Sequence, residues 1–394
     1  MTRVADDNRE KHVRSRASVQ DPPKDQKLEN TGFNKDLSRR GFLSSSSAVV
    51  ASMLADGKSA MAQRTGTPPS KRTRLIDIHH HYSPPVLQTI RNAVQLPSIT
   101  RWTPELSIEK MDRDGIHTAI VQIAGVPMTD ASRLPALCRE CNEFGAKMVA
   151  DYPGRFGFFA FTPLPDVDAS LKELEYALDT LHADGLGLLS HYGKATYLGD
   201  KVYAPLWQEL NRRKAVVFVH PRYGHYVPTT GSPEAVEDPF IQAGLLSPEL
   251  PFDTTRAVYS LQSANADENY PNVKIIVAHA GGTALTLPAR MAYEALPPGN
   301  SNYTQTYESF LKFLSSLYYD FTIAFSPAMI KAVTITAPAS HWLCGTDFPP
   351  VIKANHEVAQ EMVSLLRREL SAEQFAGVER GNAEALFPRF KDRT

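Results

Sequence analysis

The amino-acid sequence predicts a single (β/α)8 barrel. Three observations carry this. There are eight short, strand-forming apolar runs. Amphipathic helical segments lie between them. Histidine and aspartate residues collect at the C-terminal ends of four of the runs. The runs cover residues 75–79, 117–123, 156–162, 185–190, 215–219, 273–278, 317–323 and 341–345. A doubly wound open sheet is the alternative topology. No glycine-rich Gly-x-Gly-x-x-Gly follows the first run, which argues against a dinucleotide-binding version of it.

Among the helices, 168–181 is the clearest, with Leu171, Leu174, Ala177 and Leu181 at helical spacing. Residues 104–114 open after Thr103, a side chain suited to capping, with Pro104 in the first helical position. Residues 134–149 have a helical pattern, 355–370 close the eighth unit, and a last pair of helical turns occupies 372–387. Two connections are long, 80–102 and 221–252. Loops of that length in a compact domain serve as lids or subunit contacts.

The chain has 394 residues, 42% of them hydrophobic, with a net charge of −1 and 29 prolines. The charge balance gives no reason to expect nucleic acid or an anionic membrane as partner. The N-terminal region reads differently. Residues 1–40 hold ten Lys/Arg against seven Asp/Glu and lack hydrophobic periodicity. Then follow Ser38-Arg39-Arg40-Gly41-Phe42-Leu43, a weakly apolar run to Ala55, and Ala60-Met61-Ala62 before Gln63. Arginine pair, short apolar run and small-x-small cleavage site in that order resemble a twin-arginine export signal. The apolar run is shorter than the ~20 residues needed to span a bilayer. The expectation is a signal and N-terminal region at 1–62, a catalytic domain at 63–394, use of the twin-arginine export machinery, and a periplasmic or secreted location.

Cys138 and Cys141 form a Cys-x-x-Cys within a helical pattern, and with no second pair a structural zinc ribbon is excluded. They read as two residues of a helix. Cys344 lies in a strand and reads as inert.

The chemistry is concentrated around residues 75–81, Leu-Ile-Asp-Ile-His-His-His in order. Side chains alternate along a strand, so His79 and His81 share one face and His80 takes the other. Two imidazoles two residues apart on one strand can grip one divalent metal. The fifth run ends in His220, the sixth in His279, and the eighth leads into Asp347. In a barrel of this kind the C-terminal rim is where active sites form, so the five residues are expected to meet there.

These motifs resemble one group. Ile76-Asp77-Ile78-His79-His80-His81, Val219-His220-Pro221, His279-Ala280-Gly281-Gly282 and Gly345-Thr346-Asp347-Phe348-Pro349 look like the decarboxylase branch of the amidohydrolase superfamily, typified by aminocarboxymuconate-semialdehyde decarboxylase. That branch includes resorcylate, salicylate and 6-methylsalicylate decarboxylases. Trp102-Thr103-Pro104-Glu105, Met111-Asp112 and Arg380-Gly381-Asn382 also match landmarks of this group. The resemblance implies that His79, His81, His220 and Asp347 ligate a metal and that His279 is an unligated acid/base, with Asp347 a second catalytic group. It further implies that Arg290 reaches a neighbouring subunit's substrate carboxylate, hence a homodimer.

Three imidazoles, one carboxylate and an open position suit a catalytic metal, most simply zinc, with manganese the other candidate. Two-metal hydrolases of the superfamily carry a bridging lysine at the end of strand 4. Here that strand ends Leu188-Leu189-Ser190-His191, and Lys194 lies too far on, which favours one metal. His191 is at the same rim, as a substrate contact or as a misplaced strand boundary. One reaction open to such a site is non-oxidative decarboxylation of an aromatic carboxylic acid. The alternative is hydrolysis of an ester, lactone or amide by metal-bound hydroxide, for which the same five residues would serve. Tyr82, Trp102, Tyr192, Tyr223 and Phe348 offer aromatic walls, with Trp102, Tyr192 and Phe348, beside Arg290, the substrate-contact candidates.

Overall fold

In the computed structural model, the described residues are 74–93, 102–125, 131–192, 196–222, 239–294, 306–349 and 355–391. The proposed export segment, Lys194 and Tyr223 lie outside them. Residues 69–394 form one compact unit, and it is this unit that is described.

Eight parallel strands follow one another in chain order: β1 (Leu75–His81), β2 (Ile116–Gln122), β3 (Phe156–Ala160), β4 (Gly185–Leu189), β5 (Val216–His220), β6 (Lys274–Val277), β7 (Tyr318–Asp320) and β8 (Trp342–Leu343). The sheet closes on itself between β8 and β1. Asp77 bridges Cys344, Ile78 N–H donates to the Cys344 carbonyl at 3.0 Å, and His81 N–H donates to the Phe348 carbonyl at 2.7 Å. With helices between the strands, this is the expected (β/α)8 barrel. None of the described helices is long and apolar enough to cross a membrane.

Two apolar layers hold it together. Ile76, Ile78, Ile120, Phe159, Val216, Phe218, Ile276, Ala278, Tyr318 and Leu343 pack together as the barrel interior, joined by Ala383, Phe387 and Phe390 from the C-terminal segment. The alternating positions, such as Ala119, Val121, Val217 and Val219, pack outward against the helices. This is the alternation a strand imposes, and each large aliphatic side chain so buried contributes about 1.5–3 kcal/mol. Arg380 and Asn382 fasten the C-terminal segment. Arg380 donates to the Phe390 carbonyl at 2.9 Å, and the Asn382 amide to the Ala339 and Trp342 carbonyls at 2.7 and 2.8 Å.

The helices are α1 (Pro85–Ala93), α2 (Pro104–Asp114), α3 (Leu134–Asp151), α4 (Val167–Glu175), α5 (Ala204–Arg213), α6 (Pro239–Ser263), α7 (Pro288–Glu294), α8 (Tyr307–Ser316), α9 (Pro327–Thr336) and α10 (Asn355–Glu369), besides shorter turns. Thr103 caps α2, accepting from Leu106 N–H at 3.2 Å, and Gly115 ends it in the left-handed region.

Several boundaries move. β1 runs two residues further than expected because it pairs with β2 as far as His81 and Gln122. β7 and β8 are shorter, since the chain turns into the rim soon after Asp320 and Leu343. The helix expected over 168–181 becomes a π turn at Tyr176–Thr180. Parts of both long connections are helical: Pro85–Ala93 in the first, and Pro239 onward in the second. Pro248 and Pro251 argue against a helix there. The helix carries both, and the Thr255 hydroxyl donates back to the Pro251 carbonyl at 2.8 Å.

Candidate active site

The site starts with an irregularity in β1. Strict alternation from Ile76 and Ile78 would send His79 and His81 outward. Between Asp77 and His80, however, three steps of β1 face two of β2, Ala119 to Val121. This bulge re-aims the strand end. Ile76 and Ile78 face the interior, and so do the next histidines: the His79 ring lies 5.0 Å from the interior Phe218 and 5.1 Å from the His81 ring. His80 faces out. Its Nδ1 is 3.0 Å from Asp77 Oδ2, and its Nε2 is 2.9 Å from Ser107 Oγ, which also accepts the Trp102 indole N–H at 2.8 Å.

Ligating atoms of His79, His81, His220 and Asp347 all lie within 4.8 Å of one another, and all four residues are buried. Asp347 Oδ1 sits 2.8 Å from His81 Nε2 and 3.4 Å from His79 Nε2. Asp347 is held with φ +58°, unusual for a residue with a side chain, by its N–H donating to the His79 carbonyl at 2.7 Å. Gly345 is required just before it. A Cβ there would stand 2.2 Å from Thr322 Oγ1 and 2.6 Å from the His79 Cβ.

The outer partners orient these donors. His79 Nδ1 lies 2.8 Å from Asp320 Oδ2, His220 Nδ1 is 2.7 Å from the Pro221 carbonyl, and His81 Nδ1 is 3.3 Å from the Gln122 carbonyl. Each leaves its Nε2 for the centre, the arrangement that ligating histidines use. His79 Nε2 is buried without a hydrogen bond among the described residues. An orphaned inward nitrogen among three nitrogens and one carboxylate fits a divalent cation with an open position.

Electrostatics favour donation at two of the imidazoles and a proton on the third. Burial lowers the pKa of His81 and, further, of His220, so both are neutral and ready to donate. Burial works against the Asp347 carboxylate, but His79 and the neighbouring imidazoles hold its pKa well below the usual range. Burial likewise opposes a charged His79, yet Asp320 and then Asp347 push its pKa up to about 10.

His279 stands outside the four. It follows β6 in a backbone turn with positive φ at His279, Ala280, Gly281 and Gly282. Its N–H donates to Asp320 Oδ1 at 2.7 Å, and its Nε2 is 3.5 Å from Asp347 Oδ2. Gly282 lets this turn approach α6: a Cβ there would lie 2.0 Å from the Pro251 carbonyl oxygen.

The remaining candidates are spread more widely. Trp102 and Phe348 line one cleft of about 320 Å³ with Leu106, Glu109, Lys110, Arg113 and Pro349. Tyr192 is 3% exposed. Its oxygen accepts the Leu189 N–H at 2.9 Å and its ring meets Tyr203 edge-on. Arg290 is exposed on α7. His191 is buried next to Tyr197, with Nε2 3.9 Å from Asp253 Oδ1. Asp253 also accepts the Arg222 N–H at 2.9 Å and the Tyr197 hydroxyl at 2.7 Å. Cys138, Cys141 and Cys344 are buried, and burial pushes the Cys138 and Cys344 thiols up, as suits core residues.

Asp320 and the polar work of Asp77 are absent from the sequence-based candidates. Both are carboxylates inside apolar strand runs, and that is the signal by which they stand out. Asp77 accepts from His79 N–H at 3.1 Å, Thr346 N–H at 3.0 Å and the Thr346 hydroxyl at 2.6 Å, tying β1 to the Asp347 turn.

Comparison with known proteins gives a consistent result. A 6-methylsalicylic acid decarboxylase of Penicillium expansum is 36% identical over 329 residues, 80% of this chain and 97% of that protein. A decarboxylase of Aspergillus niger is 34% identical over 335 residues, 80% of this chain and 88% of that one. Among solved structures, a dihydroxybenzoic acid decarboxylase of Polaromonas sp. with bound manganese and 2-nitroresorcinol superposes with a TM-score of 0.66 at 21% identity, covering 80% of this chain and 97% of that one. The amidohydrolase family model matches residues 76–389, from the first strand through the closing C-terminal segment, and the chain belongs to the amidohydrolase family.

Proposed function

We propose that this protein is a metal-dependent, non-oxidative decarboxylase of a hydroxylated aromatic carboxylic acid of the 6-methylsalicylate type. We assign His79, His81, His220 and Asp347 as ligands of one divalent ion, zinc by donor chemistry with manganese as the other candidate. The observation that carries this is His279: an imidazole outside the four-donor set, 3.5 Å from one ligand's second oxygen. Its setting is a barrel whose full-length relatives at 33–36% identity include two 6-methylsalicylic acid decarboxylases.

When bound, such an ion supplies a Lewis acid that neutralises an anionic oxygen of the substrate. The rest falls to the protein. His279, oriented by Asp347 and by its backbone bond to Asp320, delivers a proton to the ring carbon that carries the carboxylate. The new C–H bond forms, the C–C bond to the carboxylate then breaks with its electrons returning to the ring, and CO₂ leaves.

The protein is further proposed to act as a homodimer in which Arg290, exposed on α7, serves the partner's substrate carboxylate. Residues 1–62 are proposed as a twin-arginine signal directing residues 63–394 to the periplasm or medium. The support is the order of Arg39-Arg40, apolar run and Ala60-Met61-Ala62.

The test is to incubate metal-loaded protein with 6-methylsalicylate, salicylate, 2,6-dihydroxybenzoate and aromatic lactones. CO₂ and ring-opened acid are followed together. CO₂ with a protonated ring product supports the reading. Acid without CO₂ would move the protein to the hydrolases.

A further inference from the structure

Gln122 ends β2, opposite His81 in the strand register. Ile120, two residues earlier, belongs to the barrel interior, whereas Ala119 and Val121 pack outward. Gln122 therefore points into the barrel, one step above Ile120, on the level of His81. Its position agrees. Oε1 lies 3.6 Å from where a Cβ on Gly187 of β4 would stand, and that Cβ would also be 3.4 Å from the Cβ of the interior Phe159. These are ordinary van der Waals distances, so glycine there leaves room for about one methyl-sized group beside the amide.

Gln122 is 1% exposed, and neither Nε2 nor Oε1 makes a hydrogen bond among the described residues. Burying an amide without partners is costly, and natural proteins rarely do it without a functional reason. A glutamine amide presents both donors and an acceptor. A carboxylate answers only the donors. A ring hydroxyl answers both sides, accepting from Nε2 and donating to Oε1.

We propose that Gln122 is a substrate-binding residue that selects for a hydroxyl on the aromatic acid, with Gly187 keeping room for that pairing. This rests on the decarboxylase reading above.

The test uses the full-length, metal-loaded protein and Gln122→Met, which keeps side-chain volume and removes both polar atoms. Affinity and kcat/KM are measured for 6-methylsalicylate, salicylate and 2,6-dihydroxybenzoate, with benzoate as the hydroxyl-free comparison for binding. The variant is expected to lose about 10- to 100-fold in kcat/KM for its best hydroxylated acid, mostly through KM. Benzoate affinity and metal content stay as in the parent. The ligand-free variant is expected to melt about 2 °C higher, because an unsatisfied buried amide has been removed. Equal losses for hydroxylated acids and benzoate, or unchanged discrimination, overturn the inference while leaving the decarboxylase reading intact. So does a lower melting temperature, the sign that the amide is already paired within the protein. If the parent protein neither binds nor decarboxylates any hydroxybenzoate, the decarboxylase reading fails and this inference falls with it.

Discussion

Asp320 Oδ2 lies 2.8 Å from His79 Nδ1, both side chains fully buried, while Oδ1 of the same carboxylate accepts the His279 N–H at 2.7 Å. One residue of β7 thus fixes the ring of a proposed ligand and the backbone of the proposed acid. Asp320→Asn keeps the shape but weakens the pull on Nδ1. It is expected to lower metal affinity by about 10- to 100-fold and activity with it. Titration with a competing chelator measures the first, and turnover at saturating metal separates the second. Unchanged affinity would mean that the carboxylate does not set the basicity of His79.

Acid and metal compete for His79. Its pKa in the metal-free fold, about 10, lies above the ~6.5 of an unfolded histidine. The stability it contributes through Asp320 and Asp347 is therefore complete below pH ~6.5 and lost as pH rises through about 10. The metal-stripped protein should melt at progressively lower temperature across that window, and Asp320→Asn should flatten the trend. Metal uptake at pH 7 must displace the proton, so about one proton is released per ion bound, and affinity rises with pH. Calorimetry in buffers of different ionisation enthalpy reads that number. No proton release would contradict a protonated His79.

His279 has no place in the four-donor set, so removing its imidazole should separate chemistry from metal binding. His279→Asn is expected to retain the full metal content and lose about 10²- to 10⁴-fold in kcat. Metal analysis beside single-turnover kinetics decides it. Retained turnover would end its assignment as the proton donor.

Asp77 touches no proposed ligand atom, yet its two oxygens accept from His79 N–H, Thr346 N–H and the Thr346 hydroxyl, and Oδ2 meets His80 Nδ1. Asp77→Ala leaves these buried groups unpaired and should destabilise the fold by about 3 kcal/mol or more. Asp77→Asn should recover part of this, because it can still accept on one side. Denaturant unfolding of both variants compares them, and equal losses would show that the acceptor role is not what matters.

Much of this is legible in the amino-acid sequence. The run ending in His79-His80-His81 declares itself by apolar residues that stop at donors, and His220, His279 and Asp347 each follow such a run. Asp320 was harder to see. Within Leu317-Tyr318-Tyr319-Asp320-Phe321 it reads as one polar residue in a strand, and only the approach of β1 and β6 gives its two oxygens their partners. Gln122 is similar, since its lack of partners among the described residues is a property of the packed interior. The helix from Pro239 was hidden by its own prolines, whose local cost is outweighed once α6 packs on the barrel, where Ala257, Val258 and Leu261 are buried.

The sequence by itself determined the barrel and which residues stand at its strand ends, because strand periodicity and the residue at each strand's end are local properties that survive without knowledge of neighbours. The tertiary structure decided how those donors face. Alternation alone would have turned His79 and His81 away from the interior that holds Ile76 and Ile78. The bulge between Asp77 and His80 turns them back. That bulge exists only through pairing with β2 and closure on Cys344 and Phe348, contacts that β1 makes with residues about 40 and 270 positions away, which no local pattern encodes.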